Sequence, residues 1–569
     1  RQSAIPQCYL LSLACGSDDL PGPLDLGDVR AAGGNRLMWR ALLLGLILLM
    51  PSASAQDLEE WQSLDIFNLK GGLNDTSERS AVGPEEAADI QNFILNVSGA
   101  IATREGSLLV SVAPISATAT ATGLAFYKQA DGDRFIVGTI SNGTSDTVQK
   151  MDYTALGVPD GEWDNITPSY GVSFSDDTLA DFATVQDVLV TEDGVSTTTP
   201  SEYNGSGVAD ALDGSPPNAS LVEFHKRILW LAGRADARSR VDFSGLDDFE
   251  QYTSTDFILV ETDDGQIITG LKSALDCLYV FKTESIWRIC GSDRDNLNLE
   301  QMVKGIGAAS NQSIALINNK FVFQTSQGNF AVYDGGITVQ LISGKIQGTL
   351  EELNQDRIRK TVAVAFDDGT GDDDYYACVS LKGSGTHNRV LLFDTYHQAW
   401  TKFKGITCNA LVTAEIGAAQ HTLLFADYAG NLLRYPSGET DNGELIQAYY
   451  QSGDLRFPEI PTQKTFRDIQ VFMRAQGTGR LAGFRYQIDF GTTTTSTTVS
   501  LADVGAIWDT AVWDTDAYAD QATVIRRIEV NRMGDFLNWR LEQNTASNPV
   551  LLRGIRIWME PSGRVGATP

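Results

Sequence analysis

The sequence predicts an all-β protein, a β-propeller of six or seven irregular blades followed by a C-terminal β-sandwich, with one short N-terminal helix. Turn dipeptides such as Asp131-Gly132, Asn142-Gly143 and Asp334-Gly335 recur at the spacing of hairpins. A degenerate strand–turn–strand unit of about 40 to 60 residues repeats between 120 and 440. Alternating strands continue beyond about 445 without that repeat.

Four segments follow from these patterns. We expect an upstream or leader segment at 1–55, an N-terminal arm and helix entering the propeller at 56–120, the propeller at 121–440 and the sandwich at 441–569. In "VGPEEAADIQNFIL", Pro84 suits a first helical position, and Glu85 and Glu86 favour the positive end of a helix dipole. Ala88 and Ile90 then supply apolar contacts, so this stretch predicts the helix.

A signal-like stretch lies at 38–55. Arg40 precedes an apolar run from 41 to 50, and Ala53-Ser54-Ala55 resembles a cleavage site. The apolar run is too short to cross a bilayer, which needs about 20 residues. The preferred interpretation is that translation starts at Met38. Three accounts of the stretch stay open: an accident of gene calling, a real signal whose cleavage leaves a mature N-terminus at Gln56, and an uncleaved stretch buried in an assembly contact.

The propeller repeat ends its strands in an aromatic or Met followed by Asp or Asn. The endings are "QKMD", "SEYN", "AVYD" and "LLFD". Small sheets that are apolar on both faces need a neighbour on each side, which a closed ring supplies.

The segments "KTFRDIQVFMRA" and "LRGIRIWME" read as sandwich strands, and the Thr/Ser run at 492–500 reads as a loop.

The chain carries 73 acidic and 43 basic residues, a net charge of -30. Such a surface repels phosphates, so it argues against a conventional nucleic-acid reader. Beyond the leader, no apolar run is long enough for a membrane helix. The sequence therefore predicts a globular protein without a membrane span.

Cys277 and Cys290 bracket "CLYVFKTESIWRIC", which reads as two strands around a turn at Thr283-Glu284. The two cysteines then lie opposite each other, within disulfide range. Two readings stay open: a pair of small buried residues, or a disulfide, which export would favour. No cysteine lies in a CxxC pair, so no zinc site is predicted.

No catalytic or cofactor-binding constellation emerges from the sequence. The four histidines lack metal-ligand spacing, and there is no GxSxG elbow or Walker loop. One candidate calcium site lies in "DDGTGDDDYY", where carboxylates surround two glycines. Its candidate ligands are Asp367, Asp368, Asp372 and Asp374, and the alternative is a solvated hairpin loop.

Several motifs, in order, resemble phage tail and neck proteins that have a β-propeller body. They begin with the turn Gly71-Gly72-Leu73-Asn74, then an acidic helix leading to Asn92 or Asn96, then a strand ending in Arg-x-Gly at Arg104 and Gly106. "GQIITGLKSALDCLYVFKTESIWRICG" and "VLLFDTYHQAWTKF" are similar to blades of that group, and "GIRIWMEPSGR" to its terminal sandwich. The resemblance covers most of 65–565.

The most similar named group is the tail nozzle, or packaged-DNA-stabilisation, proteins of short-tailed phages. This resemblance implies a non-enzymatic structural protein of the virion tail, assembled in the host cytoplasm. It implies a ring of identical subunits, typically six, that contacts other tail and neck proteins. Double-stranded DNA would pass through without specific binding, and an acidic wall would let it slide.

A second hypothesis keeps the leader as a real signal. The protein would then be a secreted or periplasmic propeller-plus-sandwich protein that binds a surface glycan or another protein. This hypothesis predicts a monomer with an oxidised Cys277–Cys290 pair.

Overall fold

Seven four-stranded antiparallel sheets follow one another along the chain. The computed structural model describes residues 61–114, 120–141, 146–174, 179–196, 198–291, 293–367, 371–417, 420–457, 463–476, 480–489, 494–502, 523–543 and 549–561. All of them fall within the unit Glu60–Pro569. The signal-like stretch 38–55 lies outside the described residues.

The seven sheets are numbered here in chain order. Sheet 1 contains Thr120–Lys128, Arg134–Ser141, Thr147–Asp152 and Asp164–Asn165; sheet 2 contains Asp181–Val185, Val188–Glu192, Ser201–Tyr203 and Asp210–Ala211. Sheet 3 contains Leu221–His225, Ile228–Ala232, Arg240–Phe243 and Phe257–Leu259; sheet 4 contains Ile268–Ala274, Cys277–Lys282, Ser285–Cys290 and Asn298–Lys304.

Sheets 5 to 7 have the same strand order. Sheet 5 contains Ala315–Ile317, Lys320–Gln324, Phe330–Tyr333 and Val339–Leu341; sheet 6 contains Val362–Phe366, Asp374–Val379, Arg389–Asp394 and Ala399–Phe403. Sheet 7 contains Ala410–Ile416, Gln420–Ala426 and Leu432–Tyr435, and its fourth strand is Leu108–Leu109 from the N-terminal part of the chain.

Two-residue turns join the first and second strands in four consecutive sheets. Both residues of each turn have positive φ, as a type I′ hairpin requires. The turns are Gln186-Asp187, Lys226-Arg227, Leu275-Asp276 and Asn318-Asn319. The strands that follow are buried on both faces, as in Cys277–Lys282, because each sheet packs between two others.

Two larger sheets combine strands from both ends of the described chain. Sheet L1 has the order Thr523–Gly534, Lys464–Arg474, Leu551–Pro561, Ile101–Thr103, Phe93–Leu95, and Gln62–Ile66 also pairs with Leu551–Pro561. Sheet L2 has the order Gly72–Leu73, Glu86–Gln91, Ala448–Ser452, Phe536–Gln543, Leu481–Ile488, Thr495–Ser500, and Leu455–Arg456 pairs with Phe536–Gln543.

Short helices connect some of these strands. The α-helix is Gln347–Glu351, and the 3-10 helices are Arg79–Ala81, Arg294–Asn296, Asn311–Ser313, Gly344–Ile346 and Gln355–Lys360. The described part of the chain is therefore all-β and propeller-like, as the sequence predicts. In the described ranges, no helix is long and apolar enough to span a membrane.

The predicted N-terminal helix is wrong. Glu86–Gln91 is a strand of L2, held between Gly72–Leu73 and Ala448–Ser452. The Glu86 carboxylate accepts hydrogen bonds from Asn74 Nδ2 at 2.7 Å and from the Gly83 backbone N–H at 3.2 Å. Burial of Ala87 and Ile90 in the L2 core outweighs the local helical signals.

Two segment predictions also need correction. The N-terminal arm pairs with C-terminal strands in both L1 and L2, so 441–569 does not form its sheets alone. The loop expected at 492–500 contains the edge strand Thr495–Ser500, which pairs with Leu481–Ile488. Its β-branched threonines suit a half-buried edge.

We expect Gly106→Ala to destabilise the protein by about 1–3 kcal/mol through overpacking. A Cβ at this position would lie 1.9 Å from the Thr440 carbonyl oxygen, which belongs to backbone and cannot move away cheaply. Gly344→Ala is the matched control, because nothing lies within 4 Å of its Cβ position. The measurement is the midpoint of thermal unfolding; equal midpoints for the two variants would contradict this account.

Candidate functional site

Hydrogen bonds join the first strands of successive sheets, or the residues just before them, at seven places. The pairs in chain order of the sheets are Ala180 N–Thr122 O, Val222 N–Asp181 Oδ2, His225 Nδ1–Ser273 Oγ, Leu271 N–Asn311 Oδ1, Ser310 Oγ–Thr361 O, Thr413 Oγ1–Ala365 O and Asn409 Nδ2–Ala121 O. The last of these pairs connects sheet 7 back to sheet 1.

A cavity of about 200 Å³ lies where these first strands meet. Asp181 Oδ2 accepts hydrogen bonds from Val222 N and from Asn311 Nδ2, both at 2.9 Å. Asn311 Oδ1 in turn accepts from Leu271 N at 3.1 Å, so two side chains connect sheets 2, 3, 4 and 5. Burial raises the pKa of the Asp181 carboxyl. This arrangement is a structural crosslink between sheets.

Glu192 lies directly opposite Asp181 in sheet 2 and is fully buried. Within the part of the chain that the structure describes, neither of its carboxylate oxygens has a hydrogen-bond partner, and the same holds for the Tyr252 hydroxyl. Burial raises the pKa of Glu192 well above its usual range, and the negative charges of Asp193 and Asp181 add to this effect. The group therefore favours its neutral form.

Arg104 forms the centre of a second buried polar site, at the base of the N-terminal arm. Its Nε donates to Asn92 Oδ1 at 3.0 Å. Its Nη1 donates to the Glu105 carbonyl and to Asp441 Oδ1, both at 2.8 Å. Its Nη2 donates to the Lys404 carbonyl at 2.9 Å and to Asp441 Oδ2 at 2.5 Å. All five guanidinium N–H donors are thus used.

Asn92 has φ 56 and completes this site from the arm. Its Oδ1 also accepts from Lys404 N at 2.8 Å, and its Nδ2 donates to the Gln447 carbonyl at 2.8 Å. The resemblance points to Asn92 or Asn96 and to Arg104 and Gly106. The structure joins Asn92 to Arg104, whereas Asn96 lies in the turn between Phe93–Leu95 and Ile101–Thr103. Asp441 was not identified from the sequence; the turn-forming "ETDNGE" around it was the signal available.

A cavity of about 680 Å³ lies beside this buried site, between sheet 7 and the two large sheets. Its lining includes Arg104, Arg474, Arg480, Glu439 and Gln543. Arg480 donates to Glu439 at 3.4 Å and to Gln476 Oε1 at 3.1 Å. The charged side chains that line this cavity therefore form some of their hydrogen bonds with one another.

Two disulfides are present in the described chain. One joins Cys277 to Cys290 across the hairpin of sheet 4, with a Cα–Cα distance of 4.6 Å. The other joins Cys378 in sheet 6 to Cys408, just before sheet 7, with a Cα–Cα distance of 6.2 Å. The first is the pair that the sequence left open between a bridge and two buried thiols. The second was not foreseen, because its partners lie on different sheets.

Three of the four candidate calcium ligands, Asp367, Asp372 and Asp374, lie in the described part of the chain. Asp368 lies outside the described residues. Asp367 Oδ1 accepts from Gly371 N at 3.0 Å, and Asp374 Oδ1 accepts from Thr395 N at 2.8 Å, so both carboxylates serve local turns. In the described ranges, no group of three His, Cys, Asp or Glu side chains could hold a metal ion.

One carboxylate–imidazole pair occurs at the turn of sheet 6, where His397 Nδ1 lies 2.7 Å from Asp394 Oδ2. His397 Nε2 is buried and has no hydrogen-bond partner among the described residues, so no hydroxyl nucleophile is aligned with it. Burial lowers the pKa of His225 and of His387 to about 4, so both are neutral near pH 7. We identify no catalytic constellation among the described residues.

No protein-family model matches the sequence, and no curated protein matches it. Solved structures similar to this chain include the WD40 domain of Neurospora crassa Pan2, at 10% identity over 58% of this chain and 94% of that domain, with a TM-score of 0.36. The computationally designed protein Ika8 is 15% identical over 58% of this chain and all of its own, with a TM-score of 0.34.

A third similar structure is the exo-β-1,3-galactanase of Phanerochaete chrysosporium, at 8% identity over 79% of this chain and all of its own. Its TM-score is 0.27. These scores are too low to support an argument about activity, ligands or partners of this chain.

We expect Arg104→Met to destabilise the protein by about 3–5 kcal/mol, because it leaves the Asp441 carboxylate buried without a counter-charge. Arg556→Met is the control: Arg556 pairs with the exposed Asp65 at 2.6 Å, and such surface pairs contribute about 0–1 kcal/mol. Thermal unfolding midpoints measure both effects. A loss for Arg104→Met no larger than that of the control would refute the proposed importance of this site.

We expect Glu192→Gln to stabilise the protein at pH 8 and to have little effect at pH 4. A folded-state pKa above the unfolded value of about 4.3 means that the folded chain holds this proton more tightly. That stabilisation is fully present below the unfolded pKa and is lost as the pH rises through the folded pKa. Glutamine removes the ionisation and keeps the shape.

The control for this experiment is Glu300→Gln. Arg288 hydrogen-bonds the half-exposed Glu300 and lowers the pKa of that carboxyl, so this change brings no gain at pH 8. Unfolding midpoints at both pH values provide the measurement. An equal gain for Glu192→Gln at pH 4 and at pH 8 would show that ionisation is not the cause.

Proposed function

We propose that this chain is a non-enzymatic structural protein of a short phage tail, a ring-forming nozzle or neck component that retains and releases DNA along an acidic wall. One observation carries the proposal: Arg104 and Asn92, the latter being one of the two asparagines to which the resemblance points, form a hydrogen-bonded joint between the arm, sheets 6 and 7, and L2. These residues hold parts of the fold together, which is a structural role and fits a structural protein.

We further propose that the seven sheets are the blades of one propeller and that L1 and L2 form the sandwich. Seven inter-sheet hydrogen bonds, including the one from sheet 7 back to sheet 1, support a closed circuit. The fourth strand of sheet 7 comes from Leu108–Leu109, so the N-terminal arm would fasten the last blade. L1 and L2 share one hydrophobic core, with Val471 and Ile555 from L1 and Trp539 and Leu541 from L2.

The size of the central cavity limits where DNA could pass. About 200 Å³ corresponds to roughly seven water molecules at about 30 Å³ each. The Asp181–Asn311 hydrogen bond also crosses this space. A duplex with a major groove about 12 Å wide cannot fit there. Any DNA path therefore has to be enclosed by several copies of the chain, and this is why the proposal requires a ring.

The excess of acidic residues supports the proposal that DNA slides along the protein without being held. Among described residues of 120–265, there are 24 Asp or Glu and 8 Lys or Arg. Carboxylates repel DNA phosphates and release no counterions, so they do not retain the duplex as a basic lining would.

The second candidate, an exported binding protein, is favoured by the cysteines. All four cysteines after residue 55 form disulfides, and such bonds persist in oxidising environments outside the cytosol. Together with the signal-like stretch 38–55, this pattern suits a secreted or periplasmic protein. Virion surfaces also carry stable disulfides, so the bonds alone do not separate the two candidates.

We expect the purified full chain to form closed rings of identical subunits, seen by negative-stain electron microscopy and by the mass from light scattering after size exclusion. Bovine serum albumin run in the same buffer provides the monomer control for the mass measurement. A monomer at all concentrations, with its N-terminus at Gln56 in the mass spectrum of the exported protein, would contradict the ring and support the binding protein.

A further inference from the structure

The cavity of about 680 Å³ beside Arg104 has the size of a ligand site. Pockets that bind small molecules commonly measure about 300–1,000 Å³ and often lie where parts of a fold meet, as this one does between sheet 7, L1 and L2. Arg104 itself is not available to a ligand, because its five N–H donors are used within the fold. The other lining residues therefore decide what the cavity can bind.

One wall of the cavity is an aliphatic row on L1, formed by Ile94, Ala102 and Leu551. Ala102 pairs in register with Ile94 on one side and with Leu551 on the other, so the three side chains lie beside one another across neighbouring strands. All three line the cavity and are half-buried. The aliphatic row offers a ligand an apolar surface to cover.

Two arginines bring unused positive charge to the cavity. Arg474, the last residue of the strand Lys464–Arg474, is exposed and forms no hydrogen bond or ion pair with another described residue. In the Arg480 side chain, Nη1 alone donates to described residues, to Gln476 Oε1 at 3.1 Å and to Glu439 Oε1 at 3.4 Å. A planar guanidinium fork matches the two oxygens of a carboxylate. The cavity therefore has a place for an anionic group.

A buried amide oxygen requires a hydrogen-bond donor from elsewhere. Gln543, the last residue of the strand Phe536–Gln543, lines the cavity and is 3% exposed. Its Oε1 has no hydrogen-bond partner among the described residues. A buried acceptor without a partner costs free energy, and a hydroxyl group of a ligand would recover it.

Two carboxylates limit the charge that the ligand can carry. Glu105 and Glu439 also line the cavity, and both are exposed. They repel a doubly charged phosphate more strongly than a singly charged carboxylate. Carboxylates also accept hydrogen bonds from hydroxyl groups. A singly charged anion with several hydroxyls therefore suits this lining better than a phosphate ester does.

We propose that this cavity binds a hydroxylated carboxylate, the chemistry of a uronic acid. The carboxylate pairs with Arg474 and Arg480, a hydroxyl donates to Gln543 Oε1, and the C–H groups of the sugar ring contact the aliphatic row. This chemistry has two sources, a free uronate and the acidic residues of a polysaccharide. The proposal adds a binding site to the proposed function and does not depend on the ring.

The first test measures binding of three probes to the full chain by isothermal titration calorimetry. We expect D-glucuronate to bind at least tenfold more tightly than D-glucose, because the neutral sugar leaves the arginines without an anion. The third probe, tri-D-galacturonate, distinguishes the sources. Tighter binding than that of glucuronate identifies a polysaccharide, whereas equal or weaker binding identifies a free uronate.

The second test removes the unpaired cation of the cavity. We expect Arg474→Gln to raise the Kd for glucuronate at least tenfold and to leave the unfolding midpoint unchanged, because Arg474 has no partner among the described residues. Arg532→Gln is the matched control and keeps the Kd within twofold. Arg532 is also exposed in L1, but it pairs with Phe466, eight residues before Arg474, or about 26 Å along the strand.

The third test addresses the hydroxyl contact. Gln543→Met keeps the length of the side chain and removes the acceptor, so we expect weaker binding of glucuronate. Cyclohexanecarboxylate has a ring and a carboxylate but no hydroxyl, so its Kd stays the same in this variant. An equal loss for both probes would mean that the substitution damages the cavity and that Gln543 does not recognise a hydroxyl.

Two results would overturn the inference. Absence of binding for both uronates at about 10 mM, well above a Kd of 1 mM, would show that the cavity is not a site for them. Equal weakening by Arg474→Gln and Arg532→Gln would place the binding site elsewhere on the protein. Neither result bears on ring formation, which the light-scattering mass tests separately.

Discussion

The buried Arg104 guanidinium is the constraint on which the connections between parts of this structure depend. Its Nη groups reach Asp441, 337 residues away, and the carbonyl of Lys404, 300 residues away. A lysine could not replace it, because only the planar guanidinium fork offers five donors in fixed directions. One side chain thus fixes the arm relative to sheets 6 and 7, and the strands of L1 and L2 follow from that position.

Two kinds of interaction stabilise the arrangement of the sheets. One is the apolar packing between sheets, and the other is the set of hydrogen bonds between their first strands. The sheets are buried on both faces, so hydrophobic contact supplies most of the attraction but little direction. The hydrogen bonds of Asp181 and Asn311 add direction, since each requires one relative placement of sheets 2 to 5. The large negative charge lies mostly outside these joints, where it affects association with other molecules.

Local signals predicted the local structure well. The hairpin turning at Thr283 and Glu284 forms as expected, because alternation and a two-residue turn are encoded within fourteen consecutive residues. The helix predicted for "VGPEEAADIQNFIL" is wrong because its helical signals are local, while strand partners such as Ala448–Ser452 lie far along the chain. Asp441 was not predicted as the partner of Arg104 for the same reason, because the two residues are 337 positions apart in the sequence. Turns such as Lys226-Arg227 lack the Asn-Gly pattern, so their positive φ values had no recognisable signal.

The interleaving of both chain ends has a consequence for biosynthesis. Asp65 pairs with Arg556, 491 residues later. At about 5–20 residues per second, a ribosome needs roughly 25–100 s between these two residues. During that interval Gln62–Ile66 and Glu86–Gln91 lack their C-terminal partners Leu551–Pro561 and Ala448–Ser452, so a chaperone or nascent-chain contact would have to protect these edges. Sheets 2 to 6 take their strands from consecutive stretches and can form while translation continues.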